Sequence, residues 1–234
     1  MTHLTHKIGL LSRLSSQYKL RILNLWVLVK IDKHLQDVGA VISNTVNLES
    51  LDLTAYFDSD SICQKTFSGF YHGLSQLERL IKLSLNLTSK NIMMIKPAYT
   101  ELAVCLGGLS QLEELSLDVL DVNLHLDFLS VLEGLNKIAH QLEKFSMNFM
   151  GSYFDEKDEL GLIDVLEKMK GLRELGIERF SFKQSEKSLL KFKAVLEGYK
   201  DLKKIIWKGF ESPKEGGDMF FEVMISVLEK KGVG

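Results

Sequence analysis

A leucine frame returns along this chain at a nearly constant period, and that recurrence limits the fold more than any other feature. The frame is L-x-x-L-x-L, with apolar residues at offsets 0, 3 and 5. It occurs at Leu20-Leu23-Leu25, Leu48-Leu51-Leu53, Leu80-Leu83-Leu85 and Leu112-Leu115-Leu117. Conservative forms follow at Leu142-Phe145-Met147, Leu172-Leu175-Ile177 and Leu202-Ile205-Trp207, and first residues step by 28, 32, 32, 30, 30 and 30. Repetition at such a period is the mark of a stacked repeat architecture. The phrase GLSQLE stands at both Gly73 and Gly108, 35 residues apart. Against a repeat step of 32, the surplus predicts a three-residue insertion in one helix-to-strand turn.

Each unit has two halves with different periods. Offsets 3 and 5 alternate with offsets 2, 4 and 6, as in a strand. The second half has helical spacing, for example Leu126, Leu129, Leu132, Leu135 and Ile138, or Leu162, Val165, Leu166 and Met169. Gly108, Gly134 and Gly171 fall near expected helix ends, where a left-handed cap is cheap for glycine. A strand, a helix and a further parallel strand make a right-handed crossover. Neither half buries its apolar side alone, so the units must stack.

This frame resembles the leucine-rich repeat family, and the unit of about 30 residues with a full helix is similar to its ribonuclease-inhibitor-like branch. The resemblance covers essentially the whole chain. It implies an α/β right-handed solenoid of about seven repeats, a horseshoe with a parallel sheet on the concave face and helices on the convex face. The family asparagine at offset 8 is missing, since Leu28, Tyr56, Thr88, Leu120, Met150, Phe180 and Phe210 stand there. The strand-to-helix turns are therefore expected to be irregular.

With two prolines in 234 residues and no Pro/Gly/Ser-rich linker, residues 1–234 read as a single domain. Apolar segments at 3–17 and 216–231 read as capping helices, the second with Met219, Phe220, Val223, Met224, Val227 and Leu228 on one face. A formal charge of −2 leaves no electrostatic footprint for nucleic acid or an anionic membrane. No apolar run approaches the roughly 18 residues of a membrane span, and the N-terminus lacks a signal-peptide pattern. Two cysteines, Cys63 and Cys105, make no disulfide framework. A reducing, cytoplasmic setting is expected, although the sequon at Asn86-Leu87-Thr88 argues the other way.

Surface expectations follow from the strand phase. Offset 4 reads Asn24, Asp52, Ser84, Ser116, Ser146, Gly176 and Ile206, mostly small. Offset 6 reads Trp26, Thr54, Asn86, Asp118, Asn148, Glu178 and Lys208, and offset 2 reads Ile22, Ser50, Lys82, Glu114, Lys144, Glu174 and Lys204. Partner-contacting residues are expected at Trp26, Asp52, Asn86, Glu114, Asp118, Asn148, Glu174 and Glu178. Glu114, Asp118, Glu174 and Glu178 form an expected acidic patch. Trp26 is either an exposed anchor of the kind enriched at binding hot spots or lies under the N-terminal helix. Lys203, Lys204 and Lys208 blunt the last strand as an edge. The apolar first strand is covered by the flanking helix or meets a partner end to end.

Chemistry is sparse. The histidines at 3, 6, 34, 72, 125 and 140 fall at unrelated phases. There is no G-x-x-x-x-G-K-[ST], G-x-S-x-G or paired C-x-x-C. The acidic run "FDEKDEL" opens a helix and lacks the oxygen spacing of a calcium loop. No catalytic residue, metal or cofactor is expected, and Cys105 reads as a core residue. The leading expectation is a non-catalytic module that binds another protein as adaptor or scaffold. The alternative is a regulator of a GTPase in trans, similar to the Ran GTPase-activating proteins, with Arg179 in a strand-to-helix loop as its polar group. A ubiquitin-ligase adaptor is disfavoured, because no F-box fits ahead of the first strand.

Overall fold

Offsets 3 and 5 of the frame pair from strand to strand along the whole chain. The computed structural model describes residues 19–58, 64–89, 99–119, 128–148, 155–178, 186–208 and 226–227. Seven strands are present among these: β1 (Ile22–Val29), β2 (Ser50–Phe57), β3 (Lys82–Ser89), β4 (Glu114–Val119), β5 (Lys144–Asn148), β6 (Glu174–Glu178) and β7 (Lys204–Lys208). Six helices alternate with them: α1 (Asp32–Ser43), α2 (Gln64–Ser75), α3 (Tyr99–Gly108), α4 (Phe128–Ile138), α5 (Glu156–Lys168) and α6 (Glu186–Gly198). The strands form one parallel sheet in chain order, β1 to β7. Successive helices pack on one another in a single layer. This is the expected open α/β solenoid.

Register holds to the residue. Leu23, Leu51, Leu83, Leu115, Phe145, Leu175 and Ile205 are successive partners across the six strand pairs. A repeated backbone motif sets it. At each strand entry, two consecutive N–H groups donate to one carbonyl of the preceding repeat. Glu49 and Ser50 donate to Arg21 at 2.8 and 3.0 Å, and Lys203 and Lys204 to Arg173 at 2.8 and 3.2 Å. The four junctions between repeat the pattern.

Inward residues of the strands and of the helices join one continuous core. Among the described residues the first three strands run furthest past the leucine frame. β1, β2 and β3 each have eight residues, while β5, β6 and β7 have five. The extra turn of the pleat drives Val29 and Phe57 into the core, both essentially inaccessible, and leaves Leu28, Tyr56 and Thr88 half-buried on the other face. Most of the strand-to-helix connections, and the expected N-terminal helix at 3–17, lie outside the described residues. Of the C-terminal helix only Ser226 and Val227 are described; both are helical, and Val227 is fully buried in the core.

Two expectations about turns are corrected. The GLSQLE phrases are not equivalent, so no insertion exists. Leu80 donates its N–H to Leu77 at 3.0 Å just as Leu112 donates to Leu109 at 3.2 Å. Leu77 therefore matches Leu109, and the first phrase sits one helical turn earlier. The glycines are not left-handed caps either, since none described has a φ in the left-handed region. Gly134 lies inside α4, where a Cβ would come 2.3 Å from the Ala103 carbonyl oxygen. Gly73, inside α2, faces Gly39 of α1, and its Cβ would meet the Gly39 carbonyl oxygen at 2.4 Å. Glycine here lets neighbouring helices approach backbone to backbone.

The acidic run does open a helix, as expected. The Asp155 carboxylate accepts the Asp158 N–H at 2.9 Å, and the Asp158 carboxylate accepts the Asp155 N–H at 3.2 Å. Such a reciprocal box satisfies two helix-end donors at once. Between α5 and α6, the Ser188 hydroxyl donates to the buried Glu159 carboxylate at 3.1 Å, and Tyr199 donates to the Leu166 carbonyl at 2.6 Å.

Gly73→Ala is expected to cost about 1–3 kcal/mol by overpacking. Gly69→Ala, with open space around its Cβ position on the same helix, is expected to gain about 0.4–1 kcal/mol. Urea unfolding of both decides it, and equal effects would remove the helix-approach argument. For the strand phase, Leu115→Ala should cost about 2–5 kcal/mol and Ser116→Ala under about 0.5 kcal/mol. Equal costs would mean that the inward and outward rows are exchanged.

Candidate functional site

The sheet face away from the helices carries the outward rows. All eight expected contact residues stand on it: Glu114 and Glu174 at offset 2, Asp52 at offset 4, and Trp26, Asn86, Asp118, Asn148 and Glu178 at offset 6. Trp26 is 38% exposed beside Ile22 at 64%, so the indole is only partly covered. Along offset 4, Ser84, Ser116, Ser146 and Gly176 are partners in register. A Cβ at Gly176 would come 2.6 Å from the Ser146 hydroxyl and 3.0 Å from its Cβ, so a larger residue there would make Ser146 shift. A shallow groove of about 180 Å³ runs along this floor from β3 to β7, with Ile206 at its far end.

The expected acidic patch is corrected by the offset-2 row. Parallel pairing sets Lys82, Glu114, Lys144, Glu174 and Lys204 side by side. Their charges alternate and meet. Lys82 Nζ lies 3.2 Å from Glu114 Oε2, and Lys144 Nζ lies 2.9 Å from Glu114 Oε1. Lys144 is also 3.5 Å from Glu174 Oε1, and Lys204 is 4.0 Å from Glu174 Oε2. Glu114 and Glu174 are thus the acidic rungs of a cation-ended ladder. Opposite charges directly across neighbouring strands attract, as like charges would repel. The signal was present in the sequence, because the row alternates in sign; the lysines need only be read with the glutamates. On offset 6, the Asn86 amide donates to Asp118 Oδ2 at 3.3 Å.

The ladder shows in its proton affinities. Partial burial pushes the Glu114 carboxyl up, but hydrogen bonds from Lys144 and Lys82 outweigh it and hold the group below its ordinary value. The bond to Glu114 raises Lys144. Elsewhere the chemistry is quiet. Burial pushes the Cys105 thiol up to about 12, which keeps the nucleophilic thiolate out of reach. No three His, Cys, Asp or Glu residues come together as a metal site among the described residues. His34 accepts the Lys30 N–H at 3.3 Å, and His72 and His140 are exposed on helix ends. Cys63, Arg179, His3, His6 and His125 lie outside the described residues. Among the described residues, no helix is long and apolar enough to cross a membrane.

The pH dependence follows from these directions. A carboxyl lowered on folding stabilises the fold above its unfolded value of about 4.3, and that contribution is lost as pH falls through the lower folded value. Lys144, raised on folding, contributes below its unfolded value of about 10.4 and loses that contribution as pH rises through the raised one. Glu114→Gln should therefore lower the urea midpoint at neutral pH and converge on the parent protein in strong acid. Midpoints that ran parallel across the range would show that the lysines do not hold Glu114.

No protein-family model and no curated protein matches the chain. Among solved structures, the C-terminal domain of a tropomodulin from Caenorhabditis elegans is similar, with 16% sequence identity and a TM-score of 0.37. That likeness covers 83% of this chain and 93% of the other. The fold assignment rests on this chain's own strand order and register, which make it an open solenoid of strand–helix repeats.

Proposed function

We propose that this chain is a protein-binding module of the ribonuclease-inhibitor-like leucine-rich repeat kind. It acts as a non-catalytic adaptor or scaffold and holds its partner on the open sheet face. One observation carries the reading: outward side chains from separate repeats stand in register as continuous rows, and the groove between them is accessible from β3 to β7. A surface of this kind offers many aligned polar contacts over a small-residue floor, so another backbone can come close. Partly exposed Trp26 and Ile22 add an apolar anchor at the β1 end, of the type that dominates interface energetics. The titratable groups point the same way. The offset-2 carboxylates are engaged by lysines, which suits recognition better than proton transfer.

The test is affinity capture from an extract of the source organism, with the parent chain beside Ser146→Trp. That residue stands at the middle of the floor and faces out, so an indole there blocks the groove without entering the core. Ser110→Trp, in an exposed turn between α3 and β4, serves as control. Partners held by the parent and by Ser110→Trp should be lost from Ser146→Trp. Partners retained equally by all three would move the binding surface to the helices, and the proposal would fall.

A further inference from the structure

The charge ladder favours one kind of occupant over others. Each of the four carboxylate oxygens of Glu114 and Glu174 already faces a lysine. A lysine ammonium has three N–H donors and no acceptor. Lys82 and Lys204 direct one contact each into the ladder and Lys144 two. What the row still presents to a partner is therefore donor and positive, with three lysines to two glutamates. Their side chains remain 53%, 42% and 57% exposed for Lys82, Lys144 and Lys204.

Spacing then selects the partner's backbone. These lysines stand on alternate strands, so with strands about 4.8 Å apart they are about 9.6 Å from one another and span about 19 Å. An α-helix lying along the row returns a side chain to the same face every seven residues, about 10.5 Å, and three such positions span about 21 Å. An extended strand offers about 6.7 or 13.4 Å on one face and misses the period. A polyproline helix comes near it at about 9.3 Å, but its usual grooves are lined by exposed aromatic rings. The aromatic among this groove's lining residues, Phe145, is buried. A nucleic acid strand, with a charge at every phosphate, would meet the two glutamates as well as the three lysines.

We infer that the groove between β3 and β7 takes an acidic α-helix of a partner protein, with carboxylates at i, i+7 and i+14 set on Lys82, Lys144 and Lys204. The row of Ser84, Ser116, Ser146 and Gly176 lets the helix settle against the sheet. This rests on the open face being the partner-binding face.

The probe is a fluorescein-labelled alanine-rich helical peptide of about 20 residues, long enough to span the row, with glutamates at i, i+7 and i+14. It is compared by anisotropy, on the full chain, with a peptide of identical composition whose glutamates stand at i, i+4 and i+8. The heptad-spaced peptide should bind at least tenfold tighter, with affinity falling as salt rises. Lys82→Ala combined with Lys204→Ala should abolish that preference, while Lys200→Ala keeps it; circular dichroism and the urea midpoint confirm that each variant is folded. The comparison of peptides on the unmodified chain stands even if the double variant does not fold. Equal affinity for the two spacings, no saturable binding, or a preference that survives loss of the lysines would overturn the inference. Tighter binding of a single-stranded oligonucleotide would overturn it too. If Ser146→Trp still abolishes capture of native partners, only the acidic helix is lost and the binding module stands.

Discussion

Two consecutive N–H groups converging on one carbonyl of the preceding repeat are the contact on which the rest of this molecule depends. The motif recurs at all six junctions between described strands. It involves only backbone, so it tolerates Arg21, Glu49, Ile81, Glu113, Glu143 and Arg173 alike as the acceptor residue. A slip of one residue would turn every leucine out and every charge in. By holding each strand's entry, the motif gives the leucine frame one phase from β1 to β7. The core and the outward rows are two results of the same alignment.

The outward rows show how a repeat protein turns local sequence into a surface. Residues separated by 30 or 32 positions become direct neighbours, and their charges add or cancel by row rather than by segment. Taken singly, Glu114 and Glu174 are acidic residues on a strand. Beside Lys82, Lys144 and Lys204 they are internal partners, and the surplus that reaches solvent is cationic.

Much of this was legible in the sequence because a repeat states its rule several times. Strand count, strand phase, inward residues and the membership of each row all follow from the leucine frame, and the placement of all eight expected contact residues on the open face follows with them. The failures have a common cause. GLSQLE reads as a unit because its letters recur, but a helix with an internal glycine and a helix ending in glycine can carry the same letters. Gly134 reads as a cap because glycine often is one, whereas what it does depends on Ala103 of another helix. Such roles are set by residues far away in the chain.

The sequence by itself determined the repeating strand–helix unit and which face of each strand is apolar, because period-two and helical spacings are local and burial of leucine is the dominant favourable term. Only the tertiary structure decided how closely the charges of a row approach, where helices touch backbone to backbone, and how far the first three strands run. Those depend on register and approach distance, and both come into being only when one repeat has docked on the next.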